Sequence, residues 1–188
     1  MPVRLKKFQQ GRDFAIYKLG GVLSGGVCLA MCSHYLVHRY QRDDYWGWLS
    51  HVRNKALIIN THGREDLREG GYMQECWNVI QAKLKASWSI EGKFKPSFIL
   101  ELLRQDRSLG RGDYKLIVLE AFDFFNKPKG AHALAFTSVP SLRFFDPNSG
   151  EYEFTSVMDC KTWIRDYLKR EYFNKGFTRY TLYGFDPR

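Results

Sequence analysis

The stretch AHALAFTSVPSLRFFDPNSGEYEF, residues 131–154, contains three short apolar segments with Pro, Asn and Gly between them. Segments of this kind, rich in aromatic and small apolar residues and bounded by turn residues, are typical of consecutive β-strands. The second half of the chain holds five such segments in all: 114–122, 131–139, 141–146, 151–154 and 177–185. The pattern predicts an antiparallel β-sheet of about four to five strands.

The remaining segments favour helices, most of them in the first half of the chain. Residues 28–40 contain no Gly or Pro, and apolar residues recur with helical spacing over 72–85. Pro96 suits the first turn of a helix that runs to about Gln105. Ser156 and Asp159 have the spacing of a capping box at the start of a helix that ends near Tyr172. Helices first and strands second predict an α+β fold, with a helical half packed on the sheet.

The intervening segment 41–64 shows neither pattern clearly and is predicted to be an irregular connection.

At 188 residues the chain is expected to form one domain, residues 19–188, preceded by a polar leader or edge segment, residues 1–18. Four cysteines at irregular spacing do not suggest a disulfide framework.

The formal net charge of +9 favours acidic partners or an anionic membrane surface, on which peripheral contact is feasible. The basic residues are dispersed, and the sequence has no zinc-finger spacing, RNP-type strand or basic run of five or more. Specific nucleic-acid binding is therefore not expected.

The stretch LGGVLSGGVCLAMCSHYLVHR, residues 19–39, has three interpretations. An export or membrane segment is disfavoured by four glycines, by Asp13 upstream and by an apolar run too short to cross a bilayer. A metal site would use Cys28, Cys32, His34 and His38. On one helix the cysteines lie about 40° apart and the histidines face another side, so these four side chains cannot converge on one ion.

The third interpretation makes Cys28 a nucleophile at a helix N-terminus, where the helix dipole and free N–H groups stabilise a thiolate. Gly25 and Gly26 allow close approach of a substrate, and the Cys28 N–H is a candidate oxyanion donor. Cys32 is a rival nucleophile, but it lies one turn inside the helix, where Met31 and Leu36 are also expected to face the core.

A nucleophilic thiol needs a base, and the base needs an acceptor that fixes its ring. His132 lies early in the predicted strand 131–139, and Asp146 follows fourteen residues later at a strand end before a Pro-Asn turn. Neighbouring antiparallel strands can bring these two side chains together. Asp186, in the related sequence GFDPR, is a rival acceptor, but the His-to-Asp spacing and the adjoining strand favour Asp146. Taken together, the residues predict a Cys–His–Asp site, although each of them alone is also typical of a core or turn residue.

The segments GGVCLAM, GAHALAF and RFFDPNSGEYEF together resemble the YopT/AvrPphB family of bacterial effector cysteine proteases, which have a papain-like fold. The resemblance implies Cys28 as the nucleophile, His132 as general base and acid, and Asp146 as the orienting acceptor. It implies no cofactor and no metal.

One departure from papain-like enzymes concerns the oxyanion hole, to which such enzymes commonly add a side-chain amide shortly before the cysteine. Residues 20–27 contain no Asn or Gln. Ser24, Gln9 and Gln10 are the candidate replacements.

The resemblance also implies delivery into the host cytosol without a classical signal peptide, with the help of a secretion chaperone, and activity as a monomer. The leading hypothesis is a thiol protease that cleaves a host protein at limited sites. Because the chain is basic, an acidic loop is the expected substrate. A glutamine deamidase or acyl transferase with the same triad is the alternative, and a non-catalytic binding domain is the second alternative.

Overall fold

The computed structural model describes residues 1–14, 27–62, 71–95, 102–103, 112–125 and 128–188. The predicted helix 96–105 lies outside the described residues except for residues 102–103, which are helical. Ser24, Gly25 and Gly26 also lie outside them.

Within the described residues, the strands form one seven-stranded sheet with the order β1-β6-β5-β4-β3-β7-β2, and every neighbouring pair is antiparallel. The strands are β1 (Val3–Lys7), β2 (Leu84–Lys93), β3 (Tyr114–Phe122), β4 (Pro128–Thr137), β5 (Leu142–Asp146), β6 (Gly150–Phe154) and β7 (Phe177–Pro187). The five predicted strands are confirmed, whereas the predicted strand count of four to five is wrong.

The two additional strands are the edges of the sheet, and the sequence pattern missed each of them for its own reason. Every residue of β1 is exposed, and its alternation of apolar and basic residues, VRLK, is too short to distinguish a strand from a polar leader. The strand β2 begins at Leu84, which continues the helical spacing of the preceding segment in the sequence. The preceding helix nevertheless ends at Gln81.

The helices are α1 (Gln10–Asp13), α2 (Cys28–Gln41), α3 (Tyr45–Ser50), α4 (Val52–His62), α5 (Gly71–Gln81) and α6 (Val157–Glu171). The prediction of an irregular connection over 41–64 is wrong, because α3 and α4 occupy most of it. The Asp44 side chain caps α3 by accepting from the Trp46 N–H at 3.1 Å. Tyr45 and Leu49, one helical turn apart, are buried and anchor α3 in the core.

Helices cover both faces of the sheet. On one face, Met31, Cys32 and Leu36 of α2 belong to a buried cluster that also contains residues of α3, α4, α5 and the sheet. On the other face, α6 packs through a second cluster. Ten consecutive residues of α2, Cys28 to Val37, are buried, so α2 is a central helix without a solvent face. The α+β class and the papain-like arrangement are confirmed, but the helices are not confined to one half of the fold.

The N-terminal segment contributes the edge strand β1 and then packs on the turn between β5 and β6. The Gln10 N–H donates to the Pro147 carbonyl at 2.8 Å. Gly150 has a φ of +113°, and a Cβ at this position would lie 1.8 Å from the Lys6 carbonyl oxygen. Glycine is therefore required where β1 meets β6.

The start of α6 follows its capping prediction, since the Ser156 hydroxyl accepts from the Asp159 N–H at 3.1 Å. Among the described helices, none combines the length and the apolar character that a membrane-spanning helix requires.

Candidate active site

Cys28 is the first residue of α2, and its side chain is buried. The N-terminal end of a helix carries a positive partial charge and unpaired N–H groups, which favour a thiolate. The structure thus places the predicted nucleophile where its ionised form is stabilised.

His132 and Asp146 lie side by side, as the spacing of their strands predicts. Strands β4 and β5 pair from Ala135–Phe145 to Thr137–Arg143, so His132 lies beyond the paired region, opposite the turn that follows Asp146. The distance from His132 Nε2 to Asp146 Oδ1 is 3.0 Å. Both side chains are buried, Asp146 completely.

The Asp146 carboxylate is surrounded by hydrogen-bond donors. Besides His132, Oδ1 accepts from the Asn148 N–H at 2.7 Å. Oδ2 accepts from the hydroxyls of Tyr167 and Tyr172, each at 2.5 Å. Burial alone would raise the pKa of Asp146, but His132 and these hydroxyls outweigh it and lower the pKa below 3.8. The carboxylate is therefore a stable anion beside the imidazole.

Tyr172 has a second contact in this site, because its ring stacks on the His132 ring at 5.0 Å between centroids with an interplanar angle of 15°. Tyr167 lies on α6, and Tyr172 is the residue that directly follows this helix. No sequence signal assigns either tyrosine to the site, since an aromatic residue at helical spacing is normally a core residue.

The Cys28 thiol lies close enough to His132 for each group to shift the pKa of the other. Because Nε2 of His132 faces Asp146, Nδ1 is the ring nitrogen that remains for the thiol. Burial raises the pKa of Cys28, but the hydrogen bond and the charge of His132 outweigh burial, and the net pKa lies below 9.0. Burial lowers the pKa of His132, but the charge and hydrogen bond of Asp146, followed by the contact with Cys28, raise it to about 10. These opposite shifts favour a thiolate–imidazolium pair.

The rival nucleophile Cys32 has the opposite character. It is fully buried, and burial together with the charges of Cys28 and Asp146 raises its pKa well above 9.0. A protonated, enclosed thiol is a core residue rather than a nucleophile.

The rival acceptor Asp186 belongs to another part of the sheet. It lies near the end of β7, where it accepts from the Gly112 N–H at 2.7 Å and from the Ser87 hydroxyl at 2.6 Å. Strand β3 separates β7 from β4, which carries His132. The structure therefore brings Asp146, and not Asp186, to the imidazole.

The oxyanion candidates differ in position. The Gln10 side chain lies at the start of α2, where its Oε1 accepts from the Val27 N–H at 3.1 Å. Its Nε2 donates to Asn148 Oδ1 at 2.9 Å. Gln9 is exposed at the start of α1, and Ser24 lies outside the described residues. Of the two glutamines, Gln10 is therefore the one whose side-chain amide links Val27, the residue before Cys28, to Asn148 in the turn after Asp146.

The cysteines and histidines of α2 are not arranged as metal ligands. His34 stacks on Trp48 at 5.0 Å between ring centroids, and burial lowers its pKa to about 4. Within the part of the chain that the structure describes, no three His, Cys, Asp or Glu side chains cluster as a metal site would require.

No protein-family model matches this sequence. No curated protein matches it either.

Solved structures do resemble this fold. The avirulence protein AvrPphB of Pseudomonas superposes with a TM-score of 0.57 at 14% identity, over 85% of this chain and 91% of that one. The cysteine protease-like domain PatoxP of the Photorhabdus asymbiotica toxin PaTox gives a TM-score of 0.44 at 11% identity, over 97% of this chain and 54% of that one, which is too low to establish a common fold. The chain therefore shares the fold of AvrPphB, one of the two proteins that give their names to the family whose motifs it resembles.

Proposed function

We propose that this protein is a thiol protease that acts through Cys28, His132 and Asp146. The observation that carries the proposal is the position of His132, which lies 3.0 Å from Asp146 and close enough to Cys28 to lower the pKa of the thiol, while its own pKa is raised to about 10. An ionised thiol beside a charged imidazole is the form in which a cysteine attacks an amide.

In the proposed reaction, the Cys28 thiolate attacks the carbonyl carbon, and the carbonyl π electrons move to oxygen. The Cys28 N–H at the start of α2 stabilises the oxyanion. The tetrahedral intermediate collapses, the C–N bond breaks, and the His132 imidazolium gives its proton to the leaving nitrogen. Water, deprotonated by His132, then attacks the thioester, releases the carboxylic acid and restores the thiolate–imidazolium pair.

Asp146 acts through His132 in this proposal. Its carboxylate is held by two tyrosine hydroxyls and one backbone N–H, so it cannot turn away from the imidazole. It keeps the ring oriented and stabilises the positive charge.

The proposed setting is the cytosol of a host cell, with a host protein as substrate. The fold shared with an avirulence protein supports this setting. The net charge of +9 supports an acidic loop as the region cleaved.

The test compares the wild type with Cys28→Ala and Cys32→Ala in cultured host cells. Cleavage is measured as new protein N-termini in the proteome, and glutamine deamidation, which uses the same thiolate attack, as a mass gain of about 1 Da. We expect new N-termini with the wild type and Cys32→Ala but not with Cys28→Ala. Deamidated glutamine without new N-termini would replace the protease proposal with the deamidase.

A second measurement uses purified protein and does not need the substrate. All four cysteines are buried, but the pKa of Cys28 is lowered by His132. Iodoacetamide should therefore alkylate Cys28 much faster than Cys32, Cys76 and Cys160, and His132→Ala should remove the difference. Equal reactivity of all four thiols would favour a non-catalytic binding domain.

A further inference from the structure

A cavity of about 540 Å³ lies beside His132, between α6 and the turn after Asp146. His132, Tyr172 and Asn148 form part of its wall, whereas Cys28 is not among its lining residues. The cavity therefore borders the imidazole but not the thiol.

Two arginines are held in the cavity wall by tyrosine rings. The Arg4 guanidinium lies 5.3 Å from the ring centroid of Tyr152 and also donates to the Ser149 carbonyl. The Arg170 guanidinium lies 5.6 Å from the ring centroid of Tyr167. Stacking on an aromatic face orders a guanidinium while its edge remains available to an anion.

The charge of the wall is positive. Among the described residues that line it, the third cation is Lys175 and the one carboxylate is Glu171, which accepts from Arg170 Nε at 2.7 Å and from Lys175 Nζ at 3.0 Å. One carboxylate cannot neutralise three cations, whereas the charge of a protonated His132 is balanced by Asp146. The cavity is thus suited to an oxyanion.

The chemistry at His132 decides which part of a substrate reaches this cavity. The imidazolium must lie against the leaving nitrogen in order to protonate it. The residues before the scissile bond stay attached to Cys28, whereas the departing residues lead away from the thiol past His132. A cavity that borders His132 and not Cys28 is therefore next to the leaving-group half of the substrate.

We propose that this cavity binds an acidic side chain of the substrate, located within a few residues after the scissile bond. The ligand chemistry is an oxyanion, supplied by the carboxylate of Asp or Glu or by a phosphorylated serine. The inference rests on the proposed protease function and adds a specificity determinant to it.

The experiment profiles cleavage of a degenerate synthetic octapeptide library that contains acidic, amide and phosphoserine members. Arg170→Glu reverses one charge of the cavity. Arg165→Glu is the matched control, because Arg165 lies on the same helix and pairs in the same way with the next residue, Asp166, at 3.0 Å. Mass spectrometry of the products gives the residues on each side of the cleaved bond.

We expect acidic residues to be enriched about tenfold after the scissile bond with the wild type and with Arg165→Glu. Arg170→Glu should abolish the enrichment. The ratio of phosphoserine to Glu among the cleaved peptides identifies the preferred oxyanion. Cleavage without acidic enrichment, or enrichment that survives Arg170→Glu or lies before the scissile bond, overturns the inference and leaves the protease proposal standing.

A binding measurement separates the two proposals. Peptides of the same library are retained on immobilised Cys28→Ala and on Cys28→Ala/Arg170→Glu. If no variant cleaves and Cys28 is not selectively alkylated, the protease proposal fails. Retention of acidic peptides that Arg170→Glu removes then still supports an oxyanion site, and no selective retention overturns that site as well.

Discussion

The tripeptide Phe-Asp-Pro occurs twice in this chain, and its two aspartates have different environments. Asp146 is completely buried and is surrounded by an imidazole, a backbone N–H and two tyrosine hydroxyls. Asp186 is half-buried and accepts from one backbone N–H and one serine hydroxyl. The same local sequence at a strand end therefore supports an orienting carboxylate in one place and a structural one in the other.

The difference follows from the neighbours of each strand. Strand β5 lies next to β4, so its end faces His132, and α6 supplies the two tyrosines from the other side. Strand β7 lies between β3 and β2, so its end faces Ser87 and Gly112. The order of the strands in the sheet, and not the tripeptide, determines which groups surround each aspartate.

The largest expected effect is on the rate of peptide cleavage, when the carboxylate charge of Asp146 or of Asp186 is removed in separate variants. Asp146→Asn should lower the rate of peptide cleavage roughly 10²- to 10⁴-fold, because the amide cannot stabilise the imidazolium. Asp186→Asn should change it by less than about twofold, since surface and structural substitutions far from a site rarely alter it. Initial rates on the cleaved peptide provide the measurement, and equal losses in both variants would contradict the distinction.

The second prediction concerns the histidine that Asp146 contacts. In the wild type, alkylation of Cys28 by iodoacetamide should remain fast below pH 9.0, because His132 lowers the pKa of the thiol. In His132→Ala the profile should move to higher pH, since burial, the largest influence on the thiol, is then opposed by backbone hydrogen bonds but no longer by the imidazolium, and the rate at neutral pH should fall at least about tenfold. A second-order rate measured from pH 5 to pH 10 tests this, with Asp186→Asn as the unshifted control. An unchanged profile in His132→Ala would contradict the ion pair.

The third prediction compares two hydroxyl groups, one that donates a hydrogen bond to Asp146 and one that donates to Asp186. Tyr172→Phe removes a hydroxyl that donates to the buried Asp146 carboxylate, and we expect it to lower the free energy of unfolding by about 1.5–3 kcal/mol. Ser87→Ala removes the hydroxyl that donates to the half-buried Asp186, where water can replace it, so the expected loss is about 0.5–1 kcal/mol. Urea denaturation measures both, and a larger loss in Ser87→Ala would reverse the ranking.

The smallest expected effect is a difference in acid stability. Because the pKa of Asp146 in the folded protein is lowered below 3.8, its charge stabilises the fold above that pH, and this contribution is lost as the pH falls below 3.8 towards the folded-state pKa. Asp146→Asn lacks the titrating group, so its free energy of unfolding should fall less steeply in this acid range. Thermal unfolding at a series of pH values measures the two slopes, and parallel slopes would show that Asp146 is not the group responsible.

The residues of the candidate site were more predictable than their supporting contacts. Cys28, His132 and Asp146 follow from a helix start and two strand ends, which local sequence marks well. Tyr167, Tyr172 and Gln10 enter the site through contacts with residues far away in the chain, and their local sequence resembles ordinary core or surface positions. The edge strands β1 and β2 were missed for other reasons, since β1 is a short basic segment and β2 begins at Leu84, which continues the helical spacing of the segment before it.

By itself, the sequence determined the five strands that it marks with apolar segments, the start of α2 at Cys28, the cap of α6 at Ser156 and the three residue types of the site. These depend on steric preference, turn chemistry and hydrophobic periodicity, all of which act over a few residues. The sequence favoured Asp146 over Asp186 and a core position for Cys32, but only the tertiary structure put Asp146 in contact with His132, surrounded Cys32 with other side chains, and placed two tyrosines on the carboxylate. The physical reason is that burial and charge depend on the order of strands and on the packing of α2 and α6 against opposite faces of one sheet.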